Sequence, residues 1–201
     1  MKNALKDAAL ISKYAMPMSG VFSVGDLKRL FGESSAGMLH RRIRRLEDGG
    51  IISRFMRGMY VTNGFSGVHL AARIIEKSYI SMGTVLAREM MTGSVPAKTI
   101  YAVRIGKSRV FRGKGLTIEY LGIAADLFFG YRLEQGIRFA RPEKALLDVL
   151  YFHLHGSAFS FDVYHDIDIS RIDYALIESW LVKYRNQRFI SFVRGYLSER
   201  H

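Results

Sequence analysis

The chain contains no cysteine, which excludes disulfide bonds and thiolate metal sites. It also has no run of about 18 uninterrupted apolar residues, the length that a membrane-spanning helix needs. The N-terminal stretch MKNALKDAALISKYAM has charges inside its apolar run, which indicates an amphipathic helix rather than a signal peptide. Internal repeats and low-complexity tracts are lacking too. We therefore expect a cytoplasmic protein that makes no use of a membrane.

Acidic residues are scarce relative to basic ones, with 18 Asp and Glu against 30 Lys and Arg and a formal net charge of +12. Such a charge attracts polyanions, which can be nucleic acid, an anionic membrane surface or an acidic partner protein. Hydrophobic residues make up 49% of the 201-residue chain, enough to bury a core. This length suits one ordinary domain, or a small domain joined to a medium one.

The first 65 residues carry the signals of three helices followed by a hairpin. Ser23 and Gly32 suit the beginning and the end of the second helix, and a Gly-Gly pair suits the end of the third. Ser34 or Ser35 is the expected N-cap of the third helix. The stretches IISRF and GMYVT are then typical of two short strands. This order predicts a winged helix-turn-helix.

The third helix separates apolar from basic side chains when residues 34–47 are placed at about 100° per residue. Ala36, Leu39, Ile43 and Leu46 are predicted to face the core, and Arg42, nearer the apolar boundary, is predicted to be structural. On the opposite side, small residues allow close approach to DNA, and arginines reach phosphates or guanine edges. A merely solvated basic face is the alternative. The predicted DNA-binding residues, two of them on or beside the wing, are Ser34, Ser35, His40, Arg41, Arg44, Arg45, Arg54 and Arg57.

A break at residues 63–68, NGFSGV, predicts a joint between two domains. We expect an α+β protein in which residues 1–66 form the winged helix-turn-helix and residues 67–201 form a mixed α/β domain. In the second domain the periodicity predicts helices at 68–77, 82–91, 142–153, 171–184 and 186–198, and strands at 98–105, 108–112 and 116–122.

The predicted strands between residues 98 and 122 carry several basic side chains and no acid before Glu119. This surface could bind nucleic acid or an acidic partner. Equally, the charges could protect an edge strand from aggregation. The residues are Arg104, Lys107, Arg109, Arg112 and Lys114.

Two loose groups of side chains could in principle hold zinc or iron: His153 with His155, and His165 with Asp166 and Asp168. His153 and His155 stand two apart and therefore diverge on a helix. The stretch RIGKSRVFRGKG has glycines and lysines but lacks the spacing of a phosphate-binding loop. The sequence therefore predicts no metal, no cofactor, no catalytic residue and no enzymatic activity.

The stretch ARPEKALLDVLYF, residues 140–152, is expected to be a structural helix. Pro142 suits a first helical turn, and Glu143 there opposes the positive end of the helix dipole. Leu146 and its apolar neighbours are expected to anchor the helix in the core. Lys144 and Asp148, four residues apart, are expected to pair on the surface.

That stretch, together with FMRGMYV, YISMGTVL and TIYAVRIGKSRVFRGKGLTIEYLGI, resembles the AbiEi-type antitoxins, bacterial regulators of type IV toxin–antitoxin and viral defence operons. The resemblance covers residues 8–153 and is most specific over residues 142–148. It implies an N-terminal winged helix that represses its own operon by binding double-stranded DNA. It also implies a C-terminal domain that counteracts a nucleotidyltransferase-like toxin, with no direct contact required. Carried over residue by residue, it gives a DNA-contacting role to Arg41, Arg44, Arg45 and Arg57.

The leading interpretation is therefore a DNA-binding autorepressor and antitoxin. A nucleic-acid-processing enzyme or an RNA-binding protein could use the same basic surface. A regulator whose second domain binds a small ligand is a third possibility.

Overall fold

The computed structural model describes residues 2–93 and 98–200. Eight α-helices and nine β-strands lie within these residues, which confirms the predicted α+β class. The chain forms two compact units: Met1–Ile74 with Arg112–Gly115, and Ile75–Phe111 with Leu116–His201. None of the helices in the described ranges is long and apolar enough to cross a membrane.

The first unit consists of three helices, a small antiparallel sheet and a fourth helix. Strand β3 lies between β1 and β2. Tyr60 on β3 therefore pairs with Phe22 on β1 and with Arg54 on β2. The elements, in chain order, are α1 Lys2–Ala15, β1 Val21–Ser23, α2 Val24–Phe31, α3 Ala36–Asp48, β2 Ser53–Met56, β3 Met59–Val61 and α4 Gly67–Ile74.

The ends of α2 follow from its own sequence. Ser23 and Asp26 form a capping box, in which the Asp26 N–H donates to Ser23 Oγ and the Ser23 N–H donates to the Asp26 carboxylate. Gly32 ends the helix with a φ of 58°, a left-handed conformation that suits glycine. Both predicted signals are confirmed.

Helix α3 is held against α1, α2 and the sheet by one apolar stripe. Leu39, Ile43 and Leu46 are buried there together with Phe22 and Leu27. The prediction for Ala36 was wrong: as the first residue of α3 it lies beyond the packed turns and is exposed. The N-cap of α3 is Ser35, whose side chain accepts from the Met38 N–H at 3.4 Å.

The second unit is built around a six-stranded mixed sheet in the order β6-β7-β5-β4-β9-β8. Strand β5 is parallel to β7 and antiparallel to β4, while β4 is parallel to β9. The strands are β4 Ser78–Ile80, β5 Thr99–Ile105, β6 Arg109–Gly113, β7 Leu116–Ile123, β8 Tyr131–Glu134 and β9 Ile137–Ala140. The helices are α5 Met82–Arg88, α6 Pro142–Leu154, α7 Tyr174–Leu181 and α8 Gln187–Ser198, and Ala125–Leu127 forms a 3-10 turn.

Helix α6 is the central helix of the second unit and contacts α5, α7, α8 and β9. Every residue from Glu143 to Leu150 is buried. A helix that is buried all round has no solvated face on which a polar pair could lie. The predicted pairing of Lys144 with Asp148 is confirmed, but its predicted place on the surface was wrong, because both side chains are buried.

Several boundaries differ from the sequence-based expectations. Strands β1, β4, β8 and β9, each of three or four residues, were not predicted, whereas the equally short β2 and β3 were. Helix α5 ends at Arg88 rather than at 91, and Met90 has a φ of 57°. Helix α7 begins at Tyr174 rather than at 171 because the Asp173 side chain caps it.

The division between the units falls at 74/75, eight residues after the predicted joint at 66/67. Helix α4 lies in the first unit because Arg73 is anchored there. Its guanidinium donates to the Val21 carbonyl at 2.7 Å and forms an ion pair with Asp26. The Asn-Gly-containing stretch at 63–68 is thus a connection inside the first unit.

Candidate nucleic-acid interface

The face of α3 opposite its buried stripe is exposed and basic. His40, Arg41, Arg44 and Arg45 are all exposed on this helix, and Ser34 and Ser35 are exposed just before it. We call Arg41, Arg44 and Arg45 the arginine face. Ser35 also caps the helix, so its side chain has a structural role, whereas Ser34 makes no cap.

Arg42 differs from its three neighbours in being tied into the first unit. Its guanidinium donates to Asp7 on α1 at 3.0 and 2.5 Å and to the Phe31 carbonyl at 3.1 Å. It also lies 3.5 Å from Glu33 and stacks 4.6 Å from the Phe31 ring centre. The hydrogen bond to Asp7 raises the pKa of Arg42 above its ordinary value. The structural role predicted for Arg42 is confirmed.

The β2–β3 hairpin adds two exposed arginines to the first unit. Arg54 lies on β2, and Arg57 lies in the turn before Gly58, whose φ is 87°. Across the described parts of the chain, neither forms an ion pair, and the same holds for the arginine face. Five guanidinium groups are therefore available to an outside anion.

Asp26 is the buried acid that holds the elements around α2 together. Its carboxylate accepts from the Ser23 backbone and hydroxyl, and it pairs with Arg29 and Arg73. Although burial raises the pKa of Asp26, the hydrogen bonds from Ser23 and Arg73 hold it below its ordinary value. The Asp26 carboxylate is thus bound to Ser23, Arg29 and Arg73, and it does not pair with the arginine face.

The basic residues of the β5–β7 region divide between the two units. Arg104, Lys107 and Arg109 lie in the second unit, where the Arg104 guanidinium donates to the Lys107 carbonyl at 3.2 Å. Arg112 and Lys114 belong to the first unit, and both are exposed.

The pair that sequence reasoning misplaced, Lys144 and Asp148, is the centre of a closed polar network. Both side chains are fully buried and form an ion pair. The other Asp148 oxygen accepts from Tyr79 Oη at 3.0 Å and from Ser81 Oγ at 2.7 Å. Lys144 Nζ donates to Tyr184 Oη at 3.3 Å. Burial lowers the pKa of Lys144, while the Asp148 charge opposes that effect.

This network is enclosed by aromatic rings and backbone. Lys144 Nζ lies 5.0 Å from the Phe129 ring centre, and Gly130 approaches so closely that a Cβ there would lie 3.0 Å from Lys144 Cβ. Because neither charged side chain reaches solvent, the geometry supports a structural role for the pair. The signal available in the sequence was the pair of apolar runs on either side of Asp148, at residues 145–147 and 149–152.

The histidine groups occupy separate places in the second unit. His153 lies on α6 near the Tyr164 and Phe192 rings, and His155 Nδ1 contacts the Tyr151 carbonyl at 2.7 Å. His165 Nδ1 lies 3.0 Å from Asp162 Oδ2 on the surface. Within the described ranges, no three His, Asp or Glu side chains converge as metal ligands.

Comparison with known proteins gives a fold and no function. No protein-family model matches the chain, and no curated protein matches it. Among solved structures, the fold is similar to that in the crystal structure of the RV2827C protein from Mycobacterium tuberculosis. The TM-score is 0.57 at 14% identity, over 86% of this chain and 69% of that one. At this identity the similarity is one of fold alone.

Proposed function

We propose that the first unit is a winged helix-turn-helix that binds double-stranded DNA, with α3 as the recognition helix and the β2–β3 hairpin as the wing. The observation that carries the proposal is that the four arginines of α3 are of two kinds, one bound inside the first unit and three exposed. Arg42 forms an ion pair with Asp7. The residues of the arginine face are exposed and have no acidic partner in the described residues. A purely solvated basic face requires no such separation.

The shape of α3 also supports the proposal. Its first turn is small at Ser35, Ala36 and Gly37, and its arginines follow one turn later. A helix of this kind can approach the floor of the major groove with its N-terminal end, while guanidinium groups reach guanine O6 and N7 or phosphates. The hairpin arginines Arg54 and Arg57 then contact the neighbouring backbone.

For the protein as a whole, we propose an autorepressor and antitoxin of a type IV toxin–antitoxin or phage-defence operon. The support for this step is the resemblance over residues 8–153 to the AbiEi-type antitoxins. In this scheme the first unit represses the operon. The second unit counteracts a nucleotidyltransferase-like toxin, without a requirement for direct contact with it.

The DNA-binding proposal is tested by titrating a duplex from the region upstream of the gene. In the triple variant Arg41→Ala, Arg44→Ala, Arg45→Ala, each lost base-reading contact should weaken binding by about 1–3 kcal/mol. Circular dichroism should show an unchanged fold, since the arginine face makes no ion pair in the described chain.

A matched control removes the same charge from the second unit through Arg171→Ala, Arg185→Ala and Arg188→Ala, all exposed positions. This control should bind the duplex nearly as well as the unaltered protein. Equal affinity of the arginine-face variant and the unaltered protein would refute the assignment. Preference for single-stranded or duplex RNA over DNA would instead favour an RNA-binding function.

The antitoxin step has a separate test in cells. When the neighbouring toxin gene is expressed, the arginine-face variant should lose repression and retain protection. Loss of both activities together would contradict the assignment of protection to the second unit.

A further inference from the structure

The turn between β6 and β7 places a lysine in a left-handed backbone conformation. Strand β6 ends at Gly113 and β7 begins at Leu116, so the turn is Lys114–Gly115. Both residues have positive φ, 50° for Lys114 and 73° for Gly115. A two-residue hairpin turn of this kind favours Asn, Asp or Gly at its first position. Lysine is not among these residues, and the β8–β9 turn is similar, with Gln135 at a φ of 48° before Gly136.

The same turn is built into the first unit, next to the proposed wing. Residues Arg112–Gly115 cluster with that unit. Gly113 approaches β2 so closely that a Cβ there would lie 2.8 Å from the Phe55 carbonyl oxygen and 3.1 Å from the Phe55 ring. Only glycine permits this approach, and Phe55 directly follows Arg54. The turn therefore has a defined place beside the basic hairpin.

The two cations of the turn are free for an outside anion. Arg112 and Lys114 are exposed, and neither forms an ion pair in the described ranges. The sequence from residue 98 to residue 118 contains six basic residues and no acid. Edge protection explains charge along β6, whereas Lys114 lies in the turn beyond the end of that strand.

We propose that Arg112 and Lys114 form a second basic loop that binds the phosphate backbone of the same duplex as α3. This inference rests on the proposed DNA-binding function and extends it. Contacts from Lys and Arg to phosphates position a protein on DNA and are independent of base sequence. The loop therefore adds affinity and salt dependence, whereas the arginine face supplies the sequence preference.

The test uses the full-length protein and two probes, the upstream duplex and a mixed-sequence duplex of equal length, titrated across a range of salt concentrations. The variants are Lys114→Asn, which suits the left-handed turn, and Arg112→Gln. Each lost phosphate contact should reduce the slope of log K against log salt by about 0.9, and the double variant by about 1.8. Affinity should fall by the same factor for both probes. Lys183→Asn, an exposed position of the second unit, should leave the slope unchanged.

The outcomes distinguish failure of the second basic loop from failure of the DNA-binding function. If the loop variants keep the unaltered slope while the arginine-face variant loses binding, the second basic loop is refuted and the DNA-binding function stands. If Lys183→Asn lowers the slope as much as Lys114→Asn, net charge accounts for the effect and the loop is again refuted. If the unaltered protein binds neither duplex, both proposals fall.

Discussion

Arg42 offers the sharpest test of the claim that α3 carries arginines of two kinds. In Arg42→Ala, the contacts to Asp7, Glu33 and the Phe31 carbonyl are lost together. The Asp7 side chain is only 4% exposed, so the substitution leaves a buried carboxylate without its cation. Breaking a buried ion pair costs about 3–5 kcal/mol. Because 19% of the Arg42 side chain is exposed, solvent screens the pair, and we expect a loss of about 2–3 kcal/mol.

The assay is urea denaturation followed by circular dichroism, with hydrogen exchange of the α3 amides as a local readout. For Arg42→Ala the midpoint of the unfolding transition of the first unit should fall by about 1–1.5 M urea, given an m-value of about 2 kcal/mol/M. The matched controls are Arg44→Ala and Arg45→Ala on the same helix. Since these side chains are exposed, their effect on stability should stay within about 0.5 kcal/mol.

A double-mutant cycle with Asp7→Asn separates the energy of the Arg42–Asp7 ion pair from the energy of Arg42 side-chain packing. Once Asp7 is neutral, the Arg42→Ala substitution should cost much less, since no uncompensated charge remains buried. A stability loss below about 0.5 kcal/mol for Arg42→Ala, or an equal loss for Arg44→Ala, would contradict the division of the α3 arginines into one structural residue and an exposed set.

Two further predictions concern the buried acids. Lys144→Met should destabilise the second unit by about 3–5 kcal/mol in denaturant titrations, because it leaves the Asp148 charge buried without its partner. The double variant Lys144→Met, Asp148→Leu should recover most of this loss. An equally unstable double variant would show that the network itself is required. The pKa of Asp26 is lowered in the folded protein, so its contribution to stability is present above the ordinary pKa of 3.8 and is lost as pH falls through the lower folded value. Asp26→Asn should therefore remove part of the acid dependence of unfolding of the first unit, and an unchanged pH profile would rule out this role.

Local sequence was sufficient for much of the first unit and for the candidate interface. The caps at Ser23 and Gly32 depend on contacts within four residues, so they were visible without a fold. The stripe of Leu39, Ile43 and Leu46 follows from helical period alone. The same period left Arg41, Arg44 and Arg45 on the outside. Arg42 could be assigned a structural role from its angle, although its partner Asp7, thirty-five residues away, could not.

Features that depend on distant neighbours required the folded chain. Strand β4 is held by pairing with β5 and with β9, and the second of these pairings brings Ile80 beside Phe139 from a distant part of the chain. Lys144 and Asp148 have the spacing of a surface pair, and that spacing is identical whether or not other elements cover the helix. Helices and strands from distant parts of the chain surround α6 on all sides, and this burial turns the pair into the centre of a closed network. Likewise, the closeness of Gly113 to Phe55 joins residues fifty-eight positions apart, which no local pattern encodes.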